Sequence, residues 1–175
     1  MKFTPTTIDG AWLVELEPHA DDRGSFARAF CLREFAEQGI EFQVLQANLA
    51  RTTRAGVVRG LHYQDEGEQK LVRCVAGAVR DVIVDMRPGS PTHRHVHEAT
   101  LDTVNRSALF VPAGVAHGYQ VLEDDTEFMY LTDEFYAPGR EKGVRWSDPA
   151  LGIDWPLPAR DVAERDDSWP LLGAP

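Results

Sequence analysis

The sequence predicts an all-β fold, an antiparallel sandwich or barrel with a few short helices. Two observations carry this. Short stretches of alternating apolar and polar residues recur along the chain, and clusters of Gly, Pro, Asp and Asn separate them at near-even spacing. Evenly spaced short strands either pack as two sheets or close on themselves. The length of 175 residues, 43% of them hydrophobic, then fits a single domain over 1–175 with a core of its own.

Each element has its own signal. Trp12-Leu13-Val14-Glu15-Leu16 alternates as a strand does. Leu32 to Gln38 has helical spacing and stops at Gly39. Arg59 to Gln64 alternates around His62. Leu71 to Val75 and Val79 to Met86 lie on either side of Gly77. Later strands are expected over His95 to Leu101, Ser107 to Val111, Gly118 to Leu122 and Glu127 to Thr132. Residues 150–175 carry Trp155, Pro156, Pro158, Trp169 and Pro170, and read as a C-terminal segment that wraps the domain. No repeat or low-complexity tract interrupts the pattern.

Composition narrows the function. The net charge of −10 disfavours nucleic acid and anionic membrane as partners. No apolar run approaches a membrane span, and the N-terminus lacks the apolar core of a signal peptide. Two unpatterned cysteines, Cys31 and Cys74, fit a reducing cytoplasm.

Three constellations carry chemistry. The first is His62 with cations at Arg59, Lys70 and Arg73. It reads either as a general base serving an anionic substrate or as a hydrogen-bonded core histidine. The second is Pro112-Ala113-Gly114-Val115-Ala116-His117, a turn that delivers a histidine to the next strand. The third is His93-Arg94-His95-Val96-His97, which on a strand puts three imidazoles on one face. This partly mimics a cupin metal motif, but Glu98 falls on the opposite face. Val121 stands where the second half of that motif has Asn. A solvated strand face, with no physiological metal, is the expectation.

Taken together, the segments resemble the RmlC family, the dTDP-4-dehydrorhamnose 3,5-epimerases and related nucleotide-deoxysugar epimerases. The match runs through Asp22-Arg23-Gly24-Ser25-Phe26, Gln46-Ala47-Asn48, Arg59 to Gln64, Lys70 to Arg73, Asp81 to Asp85 and Pro112 to Gly118. It continues through Phe135-Tyr136-Ala137-Pro138, Arg145-Trp146, Gly152 to Pro156 and Glu164-Arg165-Asp166. The resemblance implies a cupin-type jelly roll that forms a homodimer, with N-terminal strands exchanged between subunits. It implies a substrate of the dTDP-4-keto-6-deoxyhexose class and no metal or organic cofactor.

The resemblance also implies roles. His62 is the base, since a free imidazole titrates near pH 6.5. Asp166 orients it, Lys70 stabilises the enolate oxygen, and Tyr136 returns a proton from the opposite face. Arg59 holds the diphosphate. Arg23 and Phe26 bind the nucleotide, in the partner's site where subunits exchange. Gln46, Asn48 and His117 line the sugar pocket, and Arg73 supports the diphosphate or forms an ion pair. A lysine in the cavity argues against a metal there, because an ammonium has no lone pair and repels cations.

This chain departs from the family at Arg28, Ala50, Ala163 and Phe135. Arg28 and Ala50 leave nucleotide contacts open, and also whether C3, C5 or both are inverted. Two other classes compete: a metal-dependent cupin enzyme using His95, His97 and His117, and a sugar-nucleotide binder without turnover. A binder needs no acid and base, which His62, Tyr136 and Asp166 together supply.

Overall fold

Alternation resolves into two antiparallel sheets packed face to face, in a computed structural model that describes residues 1–64 and 67–173. The first half of the chain gives β1 (Lys2–Pro5), β2 (Trp12–Glu15), β3 (His19–Asp21), β4 (Gly24–Phe26), α1 (Leu32–Glu37), β5 (Gln46–Thr52) and β6 (Val58–Tyr63). The second half gives β7 (Lys70–Ala76), β8 (Ala78–Asp85), β9 (Val96–Asp102), β10 (Ala108–Val111), β11 (Val115–Val121), β12 (Thr126–Thr132), β13 (Lys142–Gly143) and α2 (Glu164–Ser168). The larger sheet has the order β1-β2-β10-β7-β12-β5 and the smaller β13-β6-β11-β8-β9. This is a cupin-like jelly roll. β3 and β4 form a separate, exposed hairpin.

Period-two patterning sorts the side chains. On β7, Val72 and Cys74 face the core between the sheets, where they meet Phe128, Ile83, Leu101 and Val121. Leu71 faces the other way, into an aromatic cluster of Phe35, Phe42 and Phe110 that seats α1 on the larger sheet. Phe35 is fully buried there, its ring edge-on to Phe110 at 5.8 Å. Burying such a ring contributes about 2–3 kcal/mol.

The smaller sheet is covered on both faces. Leu61, Val82, Val84 and Ala116 pack outward against Val144, Leu151, Ile153, Trp155 and Leu172 from the end of the chain. That is why β11 is buried at every position and β8 at nearly every one, without alternation.

Polar ties fix the last segment. The buried Gln120 amide donates to Leu157 O at 2.8 Å and accepts from Leu157 N at 3.0 Å. Arg160 N donates to Gly56 O at 2.8 Å, and the Arg145 guanidinium donates to Trp169 O at 2.8 Å. α2 lies between these ties and packs on β6.

The expected strands are present with ends shifted by one to three residues. The His93 to His97 strand face is corrected. Residues 91–94 form a turn, with Arg94 at φ +64°, and the strand begins only at Val96. Ser90 and Thr92 pull the chain back onto the buried Asp85, with Oγ to carboxylate distances of 2.5 and 2.6 Å. The three imidazoles therefore share no face. His97 alone lies on β9, with Nδ1 3.2 Å from Thr7 Oγ1. Among the described residues no helix is long and apolar enough to cross a membrane.

Candidate active site

The sheets part at one end around a cavity of about 830 Å³. β6 and β11 of the smaller sheet supply His62, His117 and Tyr119. β7 and β12 of the larger sheet supply Lys70, Phe128 and Tyr130. Tyr136, Glu141, Arg165 and Asp166 close the rim.

His62 is held from two sides. Its Nε2 lies 2.6 Å from Asp166 Oδ1, and its Nδ1 lies 3.3 Å from Glu141 Oε1. Asp166 comes from α2 and is buried. Its second oxygen accepts the Gly60 backbone N–H at 3.1 Å. Burial pushes the Asp166 carboxyl up, but the hydrogen bonds from His62 and Gly60 and the charges of His62 and Arg165 outweigh it. The net shift is below the usual carboxylate range. An ionised carboxylate only accepts, so the short contact to Asp166 favours a proton on Nε2, while Nδ1 meets Glu141 at the longer distance and Arg165 approaches Nε2 at 3.2 Å. Arg165 ties the two carboxylates together, 2.6 Å from Glu141 and 3.6 Å from Asp166.

Glycine makes this geometry possible. Gly60 sits two residues before His62 at φ +111°, where β6 runs beside β11 at an irregularity in their ladder. A Cβ on Gly60 would stand 2.6 Å from Gly118 Cα, and φ +111° disfavours any residue with a side chain, so both the space and the backbone angle call for glycine. The ladder shifts register between His117 and Tyr119, and His117 pairs directly with His62.

His117 has an aspartate of its own. Its Nε2 lies 2.9 Å from Asp81 Oδ2 on β8, and both residues are buried. The ring stacks on Phe128 at 6.0 Å, and Phe128 in turn contacts Tyr119 at 4.3 Å. Burial pushes the Tyr119 phenol up to about 12, so it stays neutral.

The opposite wall carries Lys70, whose Nζ lies 3.1 Å from Glu68 Oε2. Tyr130 is half-buried beside it. Burial and the negative charges of Glu68 and Glu141 push its phenol up. Tyr136 is 76% exposed on the loop after β12, its backbone N–H held by the Gln46 side chain.

The other residues singled out from sequence divide. Arg59 lines the cavity and has no ion-pair partner among the described residues. Arg73 is corrected: it lies on the β7 face away from Val72 and Cys74, buried, with its guanidinium donating to the carbonyls of Arg106 and Ala29. Burial lowers its pKa. Gln46 and Asn48 stand on β5 at the cavity's edge, Asn48 directly opposite Tyr130 in the ladder, and neither lines its wall. Arg23 and Phe26 lie on the β3–β4 hairpin, away from this cavity. Arg23 pairs with Asp21, and Phe26 is 75% exposed over a separate hollow of about 320 Å³.

Sequence reasoning passed over Tyr130, Glu141, Glu68 and Asp81. Tyr130 had a usable signal, because it follows Phe128 by two on one strand and so shares its inward face. Glu141, on a loop, had none.

Fold and site define the class: a cupin-like enzyme whose cavity is furnished with acid and base side chains. The family model described as dTDP-4-dehydrorhamnose 3,5-epimerase matches residues 5–174, and the chain belongs to that family of isomerases. It is 40% identical to a dTDP-4-dehydrorhamnose 3,5-epimerase of Methanothermobacter thermautotrophicus, over 98% of this chain and 94% of the relative. It is 41% identical to a dTDP-4-dehydrorhamnose 3-epimerase of Streptomyces niveus, over 98% and 84%. A crystal structure of the 3,5-epimerase of Bacillus anthracis with TDP and PPi bound superposes with a TM-score of 0.93 at 35% identity. That match covers 98% of this chain and 99% of that one.

Proposed function

We propose that this chain epimerises a dTDP-linked 4-keto-6-deoxyhexose at C3, C5 or both, using side chains alone. The observation that supports this best is the division of the cavity between the two sheets. The His62–Asp166 pair stands on one side, and Lys70 and a tyrosine stand on the other. Epimerisation needs a base on one face of a carbon, an acid on the other and a cation at the ketone.

In the forward step His62 Nδ1 takes the proton from the carbon next to the C4 ketone. The C–H electrons move into the new C=C bond, and the carbonyl electrons move to oxygen. Lys70 stands ready for that oxygen, the place where preorganised charge contributes most. Asp166 holds the ring's tautomer and faces the charge the imidazole acquires. A phenol O–H on the far side then protonates the carbon, leaving a phenolate. Solvent resets both groups. Arg59, whose charge acts on Tyr119 and Tyr130 across the cavity, binds the diphosphate.

Two tyrosines compete for the acid. The family resemblance points to Tyr136. Burial and position favour Tyr130, which faces the cavity from the sheet opposite His62 and is kept protonated by its surroundings. We assign the proton to Tyr130 and the rim contact to Tyr136. Tyr130→Phe is expected to block inversion while leaving His62-dependent exchange measurable, and Tyr136→Phe chiefly to raise KM. The reverse pattern returns the acid role to Tyr136.

The exposed β3–β4 hairpin joins no sheet of its own chain. We place it, with Arg23 and Phe26, over the nucleotide site of a second copy in a homodimer. Incubation with dTDP-4-keto-6-deoxyglucose in D2O, followed by NMR, tests the whole reading. Deuterium is expected at C3, C5 or both, and the labelled positions assign the regiochemistry. A substrate left unlabelled overturns it.

A further inference from the structure

One ion pair in the cavity involves the proposed enolate stabiliser itself. Lys70 Nζ and Glu68 Oε2 are 3.1 Å apart, and their side chains are only 14% and 17% exposed. Among the described residues Lys70 has no other ionic partner. Glu68 is itself held in place by its neighbour. The Gln69 backbone N–H and side-chain amide both donate to Asp133 at 2.7 Å, and the amide also reaches Glu41 O at 2.8 Å. The short segment before β7 is thereby pinned to the end of β12, and Glu68 projects from it into the cavity.

An enolate stabiliser works by presenting positive charge where negative charge develops. A carboxylate beside it, in surroundings poor in water, offsets much of that charge. The same carboxylate accepts a hydrogen bond from the ammonium and restrains a flexible four-carbon stem. These effects have separable causes: the offset needs an ionised oxygen, whereas the restraint needs only a lone pair.

On the reading that Lys70 receives the enolate oxygen, we propose that Glu68 is a positioning residue that aims Lys70 and also limits its charge. The carbanion-forming step is thereby held below the rate the cavity could support. Glu68→Gln keeps an acceptor oxygen and removes the negative charge. It is expected to raise kcat for deuterium incorporation roughly three- to tenfold with KM unchanged, because the gain arises only as the enolate forms. Glu68→Ala removes the restraint as well and is expected to lower kcat about tenfold.

Titration with dTDP confirms that each variant is folded. A Glu68→Gln enzyme no faster than the parent, or one altered in KM alone, overturns the charge-limiting role. A Glu68→Ala enzyme as fast as Glu68→Gln overturns the aiming role. Lys70→Met separates these failures from failure of the underlying reading. If it loses the exchange, any failure belongs to Glu68; if it keeps the parent's rate, Lys70 is not the stabiliser and both readings fall.

Discussion

Two histidines enter one cavity from neighbouring strands, each paired with an aspartate, and the pairs are built for different tasks. His117 and Asp81 sit on adjacent strands, buried, with the ring stacked on Phe128. His62 is 17% exposed and takes its aspartate from a helix 104 residues further along the chain. Asp166 has both oxygens partnered, by His62 and by Gly60 N–H. Asp81 has one oxygen that is buried without a partner among the described residues. The His62 pair is the more exposed of the two and is flanked by Glu141 and Arg165, while the His117 pair is packed into the wall of the cavity. A histidine–aspartate contact does not by itself mark a base; the burial of the ring and the charges around it separate the two cases.

The contrast breaks most decisively at His62. His62→Ala is expected to lower deuterium exchange at least about a thousandfold while dTDP still binds, and His117→Ala by roughly ten- to a hundredfold. Equal losses would erase the distinction. Next, Asp166→Asn keeps the shape but removes the charge that fixes the His62 tautomer. A fall in kcat of about a hundredfold with little change in melting temperature is expected. Asp81→Asn should do the opposite, keeping most of kcat and costing about 1–3 kcal/mol of stability in a urea titration.

A smaller effect separates the two arginines. Arg59→Met should raise KM roughly tenfold, whereas Arg73→Met should leave KM alone and lower stability. The smallest is acid sensitivity at Asp85. Burial pushes this carboxyl up, but Arg87, Ser90 and Thr92 together hold it well below the usual range. The folded state thus prefers the ionised form. The stabilisation is complete above about pH 4, where the unfolded group titrates, and fades as pH drops toward the folded value. Melting curves at pH 7 and pH 3 should converge for Asp85→Asn and diverge for the parent.

Much of this was legible in the sequence. The strands from Lys70 onward announced themselves as apolar or alternating runs between turn residues, and His62, Lys70 and Asp166 by the joint order of their motifs. Arg73 shows where reading motifs without geometry fails. Three residues after Lys70 on the same strand, it must face the opposite way, and period two alone would have excluded it from the cavity. The His93 to His97 stretch fails for another reason. A buried aspartate eight residues upstream bends the chain into a turn, and no local pattern reports a tertiary anchor. β5 was missed because its exposed face carries Ala47 and Leu49, which blur the alternation. Tyr136 stood out because it sits in a recognisable motif; Tyr130 did not, because its neighbours are ordinary strand residues.

The partner of His62 also sets a timetable for synthesis. Both sheets are complete once Gly143 has emerged from the ribosome, and the core between them needs nothing later. His62 lacks its aspartate until the chain has been clamped at Leu157 and Arg160 and α2 has folded down to deliver Asp166. A nascent chain can therefore bury the core between its sheets well before His62 meets Asp166.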